Sequence, residues 1–117
     1  MKKKPVTKVI NVGGVDCPPE IEEKFDQWYE EIHIPMLLKT GEFKRVTRFK
    51  RIGEDPNYPK FLMIYEFEDR QAFERYEKHP AMAEAILEMK HSWPKGGPVQ
   101  RKWRVQYEVV GMTEKEP

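Results

Sequence analysis

The sequence predicts an α+β domain whose strands and helices follow the order βαββαβ. Three observations predict it. Hydrophobic spacing switches between a period near two and a period near 3.6 in that order along the chain. Turn formers sit at the switches, as Gly13-Gly14, Gly41, Gly53 to Pro59, and Trp93 to Pro98. The third strand-like run, Phe61-Leu62-Met63-Ile64-Tyr65, is apolar on both faces, whereas the last alternates.

Each element has its own warrant. Thr7 to Val12 is a short β-branched run closed by Gly13-Gly14, a strand followed by a turn. Pro18-Pro19 suits the first turn of a helix, where a missing N–H costs nothing. From Glu20 to about Leu38, Ile21, Phe25, Trp28, Ile32 and Met36 recur at helical spacing, and Gly41 stops the helix. Glu42 to Ile52 alternates as a strand, and Lys60 to Phe67 returns as its hairpin partner. Asp69 is an N-cap for a second helix with Ala72, Phe73 and Tyr76 on one face. Pro80 breaks or restarts that helix, which continues to about Met89. Val99 to Val110 closes the chain as a long strand. Its Val99, Trp103, Val105, Tyr107 and Val109 alternate with polar residues, as an edge strand's do. The order βαββαβ is that of ferredoxin-like folds, with a four-stranded antiparallel sheet whose first and third strands are central.

Composition narrows the function classes. The chain has 117 residues, one domain over 1–117 with an ordered core at about 7–110 and fraying expected at 1–5 and 112–117. Net charge is +1 from 21 basic and 20 acidic residues, so no global field favours nucleic acid or an anionic membrane. The basic run Lys44 to Arg51 alternates like a strand, which reads either as a solvated sheet face or as an anion site. Cys17 is the lone cysteine and has no basic neighbour close in sequence, so neither a disulfide framework nor a reactive thiol is expected. No apolar stretch reaches the ~20 residues of a membrane span, and no signal-peptide core follows the N-terminal lysines. A cytoplasmic protein is expected. Neither glycine pair has the spacing of a phosphate loop, and no RNA-binding Lys/Arg-Gly-Phe-x-Phe motif occurs. No nucleotide cofactor, and no nucleic-acid partner, is indicated.

Both helices of this topology cover one sheet face, yet the third strand is apolar on both. The second face therefore reads as an interface, with two copies pairing sheet to sheet across a two-fold axis. The alternative is a face that tolerates partial exposure.

Several segments resemble one family. Trp28-Tyr29-Glu30-Glu31-Ile32-His33-Ile34-Pro35 is similar to the W-Y-x-x-H-x-P segment of EthD-like proteins, members of the dimeric α+β barrel superfamily. Gly41-Glu42-Phe43 entering an arginine-rich strand, Tyr65 to Asp69, Phe73-Glu74-Arg75-Tyr76 and His79-Pro80 extend the resemblance over about residues 8–110. It implies a homodimeric α+β barrel with a pocket between helices and sheet in each subunit. Such proteins include cofactor-free isomerases, cyclases and lyases, and heme-degrading or quinone-forming monooxygenases.

The residues themselves suit proton transfer. In a regular α-helix Tyr29 and His33 lie one turn apart, roughly 6 Å along the axis, flanking the stripe of Phe25, Trp28 and Ile32. Asp26 lies about 10 Å from His33, too far for a direct bond. Histidine moves protons at neutral pH, and a tyrosine hydroxyl can donate to a developing enolate. His33 and Tyr29 are the candidate catalytic pair. A histidine two residues before Pro35 also suits a helix end, where it bonds a free carbonyl. Candidate binding residues are Trp28, Phe49, Tyr65, Trp93 and Arg45. Arg45 and Arg48 occupy opposite strand faces, so at most one points inward, where it would favour a carboxylate or phenolate. His79, His91 and His33 fall on separate segments and give no metal site.

The expectation is a homodimeric, cofactor-independent enzyme acting on a small hydrophobic carbonyl or phenolic compound, of isomerase, cyclase, lyase or decarboxylase type. A non-catalytic small-molecule-binding or stress-related dimer is the alternative. A quinone-forming monooxygenase with Asn11 and Trp28 as its residues is the third.

Overall fold

The computed structural model describes residues 6–116; the fraying expected at 1–5 lies outside them. Four strands, β1 (Val9–Asp16), β2 (Phe43–Lys50), β3 (Phe61–Phe67) and β4 (Gln100–Glu108), form one antiparallel sheet in the order β2-β3-β1-β4. The helices are α1 (Glu22–Trp28), α2 (Ile34–Leu38), α3 (Arg70–Lys78) and α4 (Pro80–Ser92). A 3-10 turn at Pro19–Ile21 precedes α1, and a π-helical turn at Tyr29–His33 joins α1 to α2. The expected ferredoxin-like α+β class and strand order stand as predicted. With one sheet and one helical layer, the shortest extent of the backbone is 21 Å.

Strand pairing assigns each side chain to a face. On the helix side lie Val9, Asn11, Gly13 and Val15 of β1, with Phe61, Met63, Tyr65 and Phe67 of β3. These β3 residues are buried, and Phe67 and Met63 are the largest fully buried side chains. The opposite face carries Ile10, Val12, Leu62, Ile64, Val105 and Tyr107.

Several boundaries differ from the sequence reading. β1 does not turn at Gly13-Gly14 but runs through it. A Cβ on Gly14 would stand 2.8 Å from Pro59 Cγ and 3.0 Å from Trp103 Cε2, so the glycine is there for close approach and not for a turn. The first helix is not one regular α-helix. Ile34 N–H donates to Tyr29 carbonyl, five residues back, and Pro35 follows at once. Proline lacks the N–H and crowds the preceding turn, and the widened turn accommodates it. The extra residue moves Ile32 out of the predicted stripe, leaving it exposed, while Tyr29 enters the core at 6% exposure. The second helix extends to Ser92, beyond the expected Met89. Asp69 caps α3, accepting from Ala72 N–H at 2.8 Å, and His79 Nδ1 caps α4, accepting from Ala81 N–H at 3.0 Å. Helix α2 is followed by Gly41 in the left-handed region, φ 68°, as the stop signal requires.

Candidate functional site

The π turn decides what His33 meets. At 100° per residue, side chains five apart on an α-helix diverge by about 140°. The wider turn instead brings His33 back over both Trp28 and Tyr29. Its ring stacks on Trp28 with centroids 4.8 Å apart and planes at 22°, and lies 4.9 Å from the Tyr29 ring. The three residues thus form one cluster, not the core stripe and separate flank that regular helical geometry predicts.

Neighbouring elements complete the cluster. Trp93, just after α4, meets Trp28 edge-on at 5.9 Å and Phe25 at 5.8 Å. Trp28 Nε1 donates to Glu88 Oε1 at 2.9 Å, and the Ser92 hydroxyl donates to the other oxygen of Glu88. From β3, Tyr65 pairs hydroxyl to hydroxyl with Tyr29. The Arg48 guanidinium lies 4.8 Å over the Tyr29 ring and bonds Glu30 at 2.8 Å and Asp26 at 2.6 Å. On the adjacent strands, Gln106 Nε2 donates to the buried Asn11 Oδ1 at 2.9 Å.

Electrostatics keeps the cluster neutral. Burial lowers the His33 pKa to about 4, opposed by the Glu88 carboxylate and reinforced by Arg101. The imidazole is therefore uncharged at neutral pH, and its enclosed Nδ1 has no hydrogen-bond partner. Burial raises Tyr29 to about 12 and Tyr65 well above its usual range, so both phenols stay protonated. A neutral imidazole can accept or donate a hydrogen bond, and a phenol pair can pass one along. Cys17 is buried and its thiol is pushed up by that burial, which leaves it unreactive.

The predicted residues divide by placement. His33, Tyr29, Trp28, Tyr65 and Trp93 come together. Phe49 lies opposite Leu62 on the face away from the helices, 47% exposed, and does not reach the cluster. Arg45 shares that outer face and bonds Glu66 at 2.5 and 2.9 Å. The inward arginine of β2 is Arg48. Lys50 likewise pairs with Glu22 at 2.7 Å, so the basic run spends its charge on acidic neighbours, as a solvated strand does. Glu88 had no signal in the sequence, because its link to Trp28 spans 60 positions. Among the described residues no three His, Cys, Asp or Glu side chains converge as metal ligands, and no helix is long and apolar enough to cross a membrane.

A cleft of about 950 Å³ runs between α1 and β2 past Asp26, Glu30, Ile34 and Arg48. Apart from half-buried Val105, the residues of β4 are exposed. A Cβ on Gly13, helix side, would meet nothing within 4 Å, so the inner sheet surface is open there.

Solved structures share this architecture at low identity. The chain superposes on an ActVA-Orf6 monooxygenase of Streptomyces coelicolor in complex with Nanaomycin D with a TM-score of 0.67, 14% identity, and coverage of 97% of this chain and 96% of that one. An EthD family protein of Bacillus halodurans gives 0.62 and 12%, covering 87% and 99%. A dimeric ferredoxin-like protein of unknown function from Thermobifida fusca gives 0.55 and 15%, covering 88% and 92%. These likenesses establish the ferredoxin-like α+β fold of the chain. No curated protein matches the chain in sequence. The model of a domain of unknown function, DUF4286, matches residues 9–95, and the chain belongs to that family.

Proposed function

We propose that the protein is a homodimer whose subunits each take a small, largely apolar carbonyl or phenolic molecule beside His33, and that it acts on that molecule without a cofactor by proton transfer. The observation that carries this reading is the neutral His33 ring, stacked on Trp28 at 4.8 Å with Nδ1 unpartnered. A histidine serving only the helix end would bond a backbone carbonyl. This one bonds nothing among the described residues through Nδ1.

The chemistry follows from the protonation states. The neutral imidazole takes a proton from carbon next to a carbonyl, leaving an imidazolium and an enolate. A low pKa makes it a weak base, so an acidic C–H or a phenolic O–H suits it best. The imidazolium then returns the proton to a different carbon, giving an isomer; where the enolate carbon first bonds to a second carbonyl carbon of the same molecule, the proton goes to the alkoxide oxygen so formed, giving a cyclised product. Burial disfavours the cation, which hastens the return. Tyr29 lies against the imidazole, but its hydroxyl is held by Tyr65, so it orients the site from behind.

Pairing through the sheet follows from the outer face. On that face Ile10, Leu62, Ile64 and Val105 are half-buried and Val12 is buried, with exposed Trp103 and Tyr107 alongside them. Patches of that kind mark interfaces.

A panel of aromatic ketones, lactones, hydroxynitriles and polyketide mimics, run with His33→Ala and Tyr29→Phe, tests the reaction. Turnover that His33→Ala leaves undiminished removes His33 from the mechanism. A second reading, oxygen-dependent oxidation of a dihydroxyaromatic, draws on the buried Asn11 and on the monooxygenase that shares the fold. Oxygen consumption with such a compound would favour it. Saturable binding with no turnover favours a binding protein.

A further inference from the structure

The inward-facing cations of the sheet are not equivalent. Arg48 is neutralised by Asp26 and Glu30. Arg104 bonds Glu77 at 2.9 Å and lies 5.5 Å over the Phe73 ring. Arg101 makes no ion pair among the described residues. Its register puts it opposite Val15, on the helix side of β4, at the irregularity where Gly14 pairs with Trp103 and Val15 with Arg101. That irregularity leaves Lys102 as the extra residue and places Arg101 and Arg104 on the same inner face. Between their partners Val15 and Gly13 the strand offers open space, since nothing approaches a Cβ on Gly13 within 4 Å. Arg101 is also close enough for its charge to act on both His33 and Tyr29.

We propose that Arg101 determines ligand specificity, selecting flat apolar molecules that carry a carboxylate or another anionic group. The ring occupies the uncovered inner surface at Gly13 beside the Trp28–His33 stack, and the anion meets the Arg101 guanidinium at its rim. A planar guanidinium forms two parallel bonds to a carboxylate, which fixes orientation as well as charge. The neutral interior disfavours a buried anion, so the head group stays at the exposed end. This inference rests on the reading of the His33 cluster as a small-molecule site.

The test compares 2-naphthoate with its neutral analogue 2-naphthamide, measuring Kd by NMR titration of the full chain. Wild type is expected to bind the acid about tenfold more tightly, as a charge-assisted bond gives. Arg101→Gln abolishes that preference, while Arg101→Lys retains part of it. Raising salt to 0.5 M narrows the preference in wild type alone. Equal binding of acid and amide to wild type, or a preference that survives Arg101→Gln, overturns the assignment to Arg101 while leaving the site itself standing. Failure of both probes to bind wild type overturns the small-molecule reading and this inference with it.

Discussion

The indole of Trp28 holds two partners at once: its face stacks on the His33 ring at 4.8 Å and its N–H donates to Glu88 at 2.9 Å. Replacing it therefore acts on both stability and histidine chemistry. Trp28→Leu is expected to cost about 3 kcal/mol in chemical denaturation, from lost packing and a carboxylate left without its donor. It admits water to His33, whose pKa rises from about 4 toward 6.5. An NMR titration of the imidazole checks that direction; a His33 pKa that stays put would mean that something other than Trp28 keeps it dry.

The depressed His33 pKa also sets an acid limit. Above pH 6.5 the group is neutral in folded and unfolded chains alike and contributes nothing to pH dependence. Between about 6.5 and about 4 the unfolded chain binds the proton and the folded one does not, so stability falls as pH falls through that window. Denaturation at pH 7 and pH 4.5 should show wild type losing on the order of 2 kcal/mol more than His33→Gln. Equal losses would remove His33 as the cause.

The Tyr29–Tyr65 hydroxyl pair predicts strong non-additivity. Tyr29→Phe or Tyr65→Phe alone strands a buried hydroxyl and costs about 1–2 kcal/mol. The double variant strands none. A double-mutant cycle should return a coupling of about 1 kcal/mol, with the double costing less than the sum. Simple additivity would show that the two hydroxyls do not depend on each other.

Adjacent glycines should behave oppositely. Gly14→Ala drives a methyl into Pro59 and Trp103 and is expected to cost about 1–3 kcal/mol. Gly13→Ala meets nothing and should stay within about 0.5 kcal/mol of wild type. Thermal or urea unfolding of both separates close approach from mere strand propensity.

These residues also mark how far the sequence could be read. The period changes located every strand and helix to within a few residues, because burial on one face imposes that spacing. The double-sided apolarity of Phe61 to Tyr65 identified the central strand correctly. Gly13-Gly14 misled, since glycine serves both turns and close contacts and only the far-off Pro59 and Trp103 distinguish them. Regular α geometry misplaced His33 and Ile32. Pro35 was the visible signal for the widened turn, but a proline in a helix can also kink or end it. Between Arg45 and Arg48 alternation alone fixed opposite faces without saying which was inner. The partnership of Trp28 with Glu88 depends on how α4 packs, and no local pattern encodes it.

Pairing through the outer sheet face predicts a dimer at micromolar concentration in light scattering. Ile64→Arg and Val105→Arg put charges in the middle of that face and should give a folded monomer, with circular dichroism unchanged. Wild type running as a monomer would contradict the pairing.

The most direct measurement of the central claim, that His33 and Trp28 face a ligand, is an NMR titration with 2-naphthol that follows the His33 imidazole and the Trp28 indole N–H together. The two signals are predicted to move in step and saturate at one ligand per subunit. Shifts confined to Ile64 and Val105 on the outer face, with His33 unmoved, would contradict it.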